Sequence, residues 1–430
     1  MNEPGKLPHV GRAVLSGQMS SEDAVRACLE RIEHQDSLTR SFVSLHPEKA
    51  LVEAIARDNE EPRGPLHGVP FAVKDIFDTV DLPTEFNSPL YIGFQPAKDA
   101  AAVALLRAAG AVFIGKVATV EFAGIGAIPE TRNPHNQEFT PGGSSAGSGA
   151  AVGGGKVPLA LASQTAGSTI RPASFCGAAA MKPTWGRVPV EGMKPFAASL
   201  DTVGWIAEDI DLLARAAEAL GIHEDVRRKG AGGMRIGLYR TPYWDEAEAE
   251  SIVAVEQAAH HLASAGHRVD EVAGPKNCES LNEWQEVLMN GEARTSYLAE
   301  HARDPERLHP GVLDVVRNRR GITFEDMCRA YDGIAAFRPQ FDKAMRAYDA
   351  WLTPAVPGEP PRFEQGNGLA TFNRMFTALG LPCIAIPGFY GPYGLPVGVQ
   401  LVAPRFADRR LLRAAAQVES ILQSALESTD

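Results

Sequence analysis

Residues 142–155 read GGSSAGSGAAVGGG, seven glycines and three serines in fourteen positions. After Lys156 the chain runs straight into VPLALASQTAGSTIRPASFCGAAAMKPT, which has the small, apolar character of a buried core. A spacer between domains would be flanked by polar, solvated sequence, and Val157-Pro158-Leu159-Ala160-Leu161 is the opposite. A phosphate cradle of the GxxxxGK[ST] type also fails: Val157 follows Gly155-Lys156, and Ala150 stands where the first glycine belongs. A dinucleotide fingerprint needs a strand just before the glycines, whereas Glu138-Phe139-Thr140-Pro141 reads as a turn. What remains is a backbone that must come very close to reacting atoms.

That idea has two versions. Gly143-Ser144-Ser145-Ala146-Gly147 matches GxSxG, the strand-turn-helix elbow of α/β-hydrolases, with Ser145 as nucleophile. The elbow needs a buried strand before it and a histidine base. Pro141 sits where that strand should end, and His67 and His135 lie in loop contexts that read as surface positions.

The rest of the chain sets the frame. With 430 residues, 44% of them hydrophobic, it can bury a large core. A net charge of −11 argues against nucleic acid or an anionic membrane as partner. Cys28, Cys176, Cys278, Cys328 and Cys383 are scattered, with no CxxC pair, so neither a disulfide framework nor a zinc site is expected. The first residues lack a signal-peptide core, and the apolar run AAVALLRAAGAVFIG is too short to span a bilayer. The expectation is a reduced, cytoplasmic protein.

Helical spacing recurs near 20–34, 48–58, 99–109, 205–220, 246–265, 281–301, 323–347 and 408–424. Short β-like runs lie at 69–73, 111–114, 234–239, 383–387 and 397–402. The alternation predicts an α/β sheet covered on both faces. Residues 223–233 read as a polar loop, and about 244–350 as a helical insertion or lid.

The second version takes the whole block. Gly142-Gly143-Ser144-Ser145-Ala146-Gly147-Ser148, Gln164-Thr165-Ala166-Gly167-Ser168 and Ile170-Arg171-Pro172-Ala173-Ser174-Phe175-Cys176-Gly177 together resemble the defining motif of the amidase signature family. Gly68-Val69-Pro70-Phe71-Ala72-Val73-Lys74-Asp75 looks like that family's lysine strand, and the likeness covers roughly 1–220 and 350–425. It implies one domain over 1–430 with a large mixed twisted sheet sandwiched by helices. The signature core would lie at about 60–220 and 350–425, with a helical substrate-specificity region at about 240–350.

The resemblance also implies the chemistry. Ser168 would be the nucleophile, Ser144, preceded by a cis peptide bond, the proton bridge, and Lys74 the base. A lysine with the ordinary pKa of about 10.4 is useless as a base near neutrality, but burial favours the neutral amine. Val69, Phe71, Ala72 and Val73 supply apolar surroundings. Read alone, Lys74 would be a strand-end lysine paired to Asp75. Backbone N–H groups of Thr165, Ala166, Gly167 and Ser168 would form the oxyanion hole. Gly143, Ser145, Gln164 and Arg171 would support it.

No metal or organic cofactor is implied. The expected substrates are apolar or aryl amides, with esters and carbamates as further targets, acted on by a monomer or homodimer. Tyr243, Trp244, Trp284, Met289, Phe372, Phe376, Phe389 and Tyr390 are candidates for an apolar pocket or for plain core. Gln164 and Ala166 replace the Asp and Gly that many members carry, and Thr169-Ile170 separate Ser168 from Arg171 by one residue more than usual. These departures weaken the alternative of a glutaminase subunit delivering ammonia to a partner. A non-catalytic scaffold is the other alternative.

Overall fold

The computed structural model describes residues 9–223 and 233–427; most of the predicted polar loop at 223–233 lies outside them. Eleven strands form one sheet: β1 (Phe42–Leu45), β2 (Pro70–Lys74), β3 (Val112–Val117), β4 (Leu159–Gln164), β5 (Ala179–Lys182), β6 (Thr202–Ala207), β7 (Arg235–Tyr239), β8 (Arg268–Val272), β9 (Ala350–Pro354), β10 (Cys383–Tyr390) and β11 (Pro396–Val402). Their order is β1-β3-β2-β4-β6-β5-β10-β11-β9-β7-β8. The sheet is mixed. β2 runs parallel to both β3 and β4, and β9, β7 and β8 are mutually parallel, while the strands between are antiparallel.

β2 and β4 lack the alternation of a half-wetted strand because every residue of each is buried. Continuous apolar runs are what a strand covered on both faces requires. Because they are parallel, Lys74 and Gln164 end their strands on the same edge of the sheet, where ligands of open α/β sheets bind.

The glycine block is explained by close approach. After its turn the chain forms the helix Ala146–Gly153, whose first seven residues are all buried. A Cβ on Gly147 would collide with the backbone of Ala118 and Ser41, and one on Gly153 with the carbonyl of Cys176. The helix therefore lies on the backbone of its neighbours, a separation side chains would forbid.

Several elements differ from the sequence expectation. Residues 202–207 form β6, and the helix expected over 205–220 is confined to Ile210–Ala219, where Asp209 caps it by accepting from the Leu212 N–H. The span 244–350 is not purely helical: β8 adds an edge strand whose residues are exposed or half-buried, too polar to be read as a strand. Its main helices are Ala249–Ser264, Leu281–Ser296 and Phe324–Met345. Among the described residues no helix is long and apolar enough to cross a membrane. All five cysteines are free.

Candidate active site

Lys74, the last residue of β2, is completely buried. Its Nζ donates to Ser144 Oγ at 2.8 Å and to Ser163 Oγ at 2.9 Å. Among the described residues no carboxylate lies within ion-pair distance of it. Burial therefore pushes its pKa well below the ordinary lysine value, opposed only by the charge of Asp201. Asp75 does not pair with Lys74, as a plain strand-end reading would have it. Its partner is Lys116 of β3, at 2.9 Å.

Ser144 follows a cis peptide bond from Gly143. Its carbonyl accepts from the Val120 N–H at 3.1 Å. The Gly143 carbonyl is held by Arg171, whose Nε donates at 3.2 Å and whose Nη2 donates as well, while Nη1 reaches the Gly368 carbonyl. The Arg171 guanidinium is buried with backbone carbonyls as its partners, and burial, then Arg374, pulls its pKa down to about 9.

Residues 165–168 lie in the turn between β4 and the helix Ile170–Cys176. Three carbonyls there are tied outward: Thr165 O accepts from Gln285 Nε2 at 2.8 Å, Ala166 O from Thr377 Oγ1 at 2.7 Å, and Gly167 O from the Arg171 N–H at 2.9 Å. The N–H groups of Ala166, Gly167 and Ser168 have no acceptor among the described residues. Pinning the carbonyls one way leaves these N–H groups free for an anion. Gln164, where the family pattern has Asp, caps the next helix: its Oε1 accepts from Thr169 and Ile170 N–H at 3.0 and 3.1 Å, and its Nε2 donates to Thr377 Oγ1. Thr165 Oγ1 donates to Asp201 at 2.6 Å. Burial raises the Asp201 carboxyl to about 6.

Of the three residues expected to act together, Lys74 and Ser144 are joined directly. Ser168 is 8% exposed, and its hydroxyl makes no hydrogen bond among the described residues, so a Ser168–Ser144 link is not formed here. The hydroxyls of Ser145 and Ser148 tie the helix start to the backbone of β4: Ser145 Oγ donates to Ser163 O at 3.3 Å, and Ser148 Oγ to Leu161 O at 2.8 Å. The elbow reading of Ser145 finds no strand directly before Gly143, and His67 and His135 are spent on the carbonyls of Arg57 and Cys176. Phe372 and Phe376 are core residues, whereas Tyr390 is largely exposed.

Sequence reasoning passed over Ser163, Gln285 and Thr377, which hold the amine and orient the turn. Ser163 had a faint signal, as the hydroxyl in the apolar strand LALASQ. Gln285 and Thr377 arrive from elements more than a hundred residues away and had none. One group of metal-type side chains, His9, Glu208 and Asp209, exists among the described residues. It lies beyond the opposite end of β4, where Glu208 N–H bonds Pro158 O, and Arg12 ion-pairs with Asp209 at 2.8 Å.

The Amidase family model matches residues 23–412 of the chain. A glutamyl-tRNA(Gln) amidotransferase subunit from Moorella thermoacetica is 33% identical, over 93% of this chain and 92% of that protein. A crystal structure of an amidase superposes with a TM-score of 0.86 at 28% identity, covering 96% of this chain and 99% of that one. The peptide amidase from Stenotrophomonas maltophilia does so with a TM-score of 0.81 at 26% identity, covering 98% of both chains. The buried lysine on a serine, the glycine-rich turn and the whole-chain match lead to one conclusion: this chain belongs to the amidase family, as an amidase-signature enzyme of carbon–nitrogen bond chemistry.

Proposed function

We propose that the protein hydrolyses apolar or aryl amides through Ser168, Ser144 and Lys74, and accepts esters and carbamates at the same site. The observation that carries this reading is the Lys74 amine, buried with no counter-ion among the described residues and hydrogen-bonded to Ser144. An amine in that setting is poised to be neutral, and a neutral amine is a base. Ser168 Oγ attacks the acyl carbon as its proton passes to Ser144, whose own proton passes to Lys74. Negative charge then develops on the carbonyl oxygen, where the free N–H groups of residues 166–168 receive it; one such donor is typically worth about 3–4 kcal/mol. The proton returns through Ser144 to the leaving nitrogen, the C–N bond breaks, and water releases the acyl group by the same relay. The Ser168–Ser144 contact forms when substrate is bound, as such contacts commonly tighten only in the complex.

The rim supports an apolar substrate. Ile128 and Leu369 are exposed there, the first against Gly366 and the second two residues beyond Asn367, which abuts Gly143. The chain acts in this reading as a free-standing monomer or homodimer in the cytoplasm, with no cofactor.

A second reading has support of its own. The Moorella relative is named as a tRNA amidotransferase subunit, which would make this chain a glutaminase feeding ammonia to a partner. One experiment separates the two. The purified chain is labelled with a fluorophosphonate, mapped by mass spectrometry, and assayed on acetanilide and on glutamine. The proposal expects label on Ser168 and turnover of acetanilide, both lost in Ser168→Ala. Label on Ser145, or glutamine as the exclusive substrate, overturns it.

A further inference from the structure

The turn at residues 165–168 is held from behind by a row of hydrogen bonds that all run one way. The row starts at the N–H groups of Thr169 and Ile170, which donate to Gln164 Oε1 at 3.0 and 3.1 Å. Those two donors fix the orientation of the side-chain amide, so its other end is the NH2 group. Gln164 Nε2 donates to Thr377 Oγ1 at 3.0 Å, and Thr377 Oγ1 donates to the Ala166 carbonyl at 2.7 Å. That carbonyl belongs to the same peptide group as the Gly167 N–H, one of the three left free for an anion. Gln164 and Thr377 are both buried, where a hydrogen bond is stronger than in water.

Thr377 has a second acceptor within reach. The Asn373 carbonyl, one turn back along the helix Thr371–Ala378, lies 3.0 Å from Oγ1, the back-bond a helical threonine commonly makes. The hydroxyl has one proton to give, and the shorter contact is to Ala166. The same helix fixes where the turn sits: a Cβ on Gly167 would lie 2.5 Å from Asn373 Oδ1 and 2.9 Å from Ala370 Cβ. The helix is itself anchored, since Asn373 Nδ2 donates to the Ala355 carbonyl at 3.0 Å and Gln400 Nε2 to the Phe372 carbonyl at 2.7 Å. The side-chain types matter as much as the distances. An amide accepts at one end and donates at the other, whereas a carboxylate at 164 would accept only. A carbonyl that receives a hydrogen bond draws electron density from its own peptide nitrogen by resonance, which makes the N–H a better donor. Bonds linked in this way strengthen one another by about 10–30% each.

We propose that Gln164 and Thr377 are positioning residues for the oxyanion: they orient the Ala166–Gly167 peptide and strengthen the Gly167 N–H as charge develops on the substrate oxygen. Both act through that peptide rather than on the substrate. The inference rests on the hydrolase reading above. It does not depend on which amide is cleaved, because any acyl transfer to Ser168 places negative charge on the same oxygen.

The test compares the intact chain with three variants. Thr377→Val keeps the shape and removes the hydroxyl, and Thr377→Ser keeps the hydroxyl. Gln164→Glu keeps the acceptor for Thr169 and Ile170 but removes the donor, so the Thr377 proton turns to the carboxylate and leaves Ala166. Loss of a whole oxyanion donor costs about 100- to 1,000-fold in kcat, so weakening one is expected to cost about tenfold. That loss appears in kcat for acetanilide in Thr377→Val and Gln164→Glu, with KM unchanged, and Thr377→Ser recovers it. Phenylboronic acid gives a second readout by calorimetric titration. Its boron takes a lone pair from Ser168 Oγ, the serine proton leaves through Ser144 to Lys74, and the tetrahedral anion sets an oxygen where the oxyanion would lie. Its dissociation constant rises in the two deficient variants in the proportion by which kcat falls, which loosened packing alone would not produce. The inference is overturned if Thr377→Val or Gln164→Glu keeps the parent's kcat and boronate affinity, or if the loss falls on KM instead. A parent that hydrolyses glutamine and leaves acetanilide untouched refutes the substrate assignment alone, and the same ratios are then read on glutamine. A parent inert on both that binds no boronate overturns both.

Discussion

Lys74 and Lys116 stand on neighbouring parallel strands, where Lys74 pairs in register with Val117 and Val73 with Lys116. Both are fully buried, and burial pushes both pKa values down. They are held in opposite ways. Lys116 has a carboxylate at 2.9 Å in Asp75, and also donates to Thr84 Oγ1 at 2.7 Å and the Phe77 carbonyl at 3.0 Å. Lys74 has two hydroxyls. A counter-ion stabilises the ammonium in a low dielectric, whereas hydroxyls serve a neutral amine equally well. In the proposed mechanism the same residue type, one strand apart, is a structural cation in one case and a base in the other.

The sharpest way to break this contrast is to remove each lysine in turn. In Lys74→Met the amidase activity falls by about three orders of magnitude or more, as does that of Ser168→Ala, while thermal stability changes little. In Lys116→Met the order reverses. Asp75 is left buried without its cation, the fold loses about 3–5 kcal/mol, and denaturant unfolding shows it. Equal stability losses in the two variants would end the comparison.

The pH profile sharpens it further. The neutral Lys74 fraction grows as pH rises, so kcat/KM for an anilide climbs through the lowered folded pKa of Lys74, well below the ordinary lysine range. Replacing Asp75 leaves that limb in place. A smaller effect is expected of Ser163→Ala. With one acceptor fewer the ammonium is disfavoured further, so the limb moves to lower pH and kcat drops by about tenfold as the amine loses its anchor.

The smallest effect concerns carboxylates buried in the same manner. Burial raises Glu208 and Glu419 to about 7, Asp209 adding to both, despite N–H bonds from Arg12 and Ile210. A carboxyl with a raised folded pKa gives stability that is complete below about 4.5 and is lost as pH rises through about 7. The melting temperature therefore declines between pH 5 and pH 8, and the double variant Glu208→Gln, Glu419→Gln flattens that decline.

Legibility in the sequence followed locality. The helix Ser21–Thr39 is announced by Ser20, whose side chain accepts from the Asp23 N–H. β2, the glycine turn and the box before Ser168 are contiguous segments whose residue types state their backbone. Residues 205–207 were misassigned to a helix because their apolar content suits either structure, and pairing with β4 and β5 decided the matter. β8 was missed because an edge strand needs no apolar period.

The amino-acid order alone determined where glycine would replace side chains, which lysine would end a buried strand, and which serines would stand in turns. These depend on sterics and hydrophobicity over a few consecutive residues. Whether that lysine carries a charge was settled by the assembled fold. Protonation depends on every dipole and carboxylate within several ångströms, and here those arrive from residues 144, 163 and 201, which only folding brings into one dielectric.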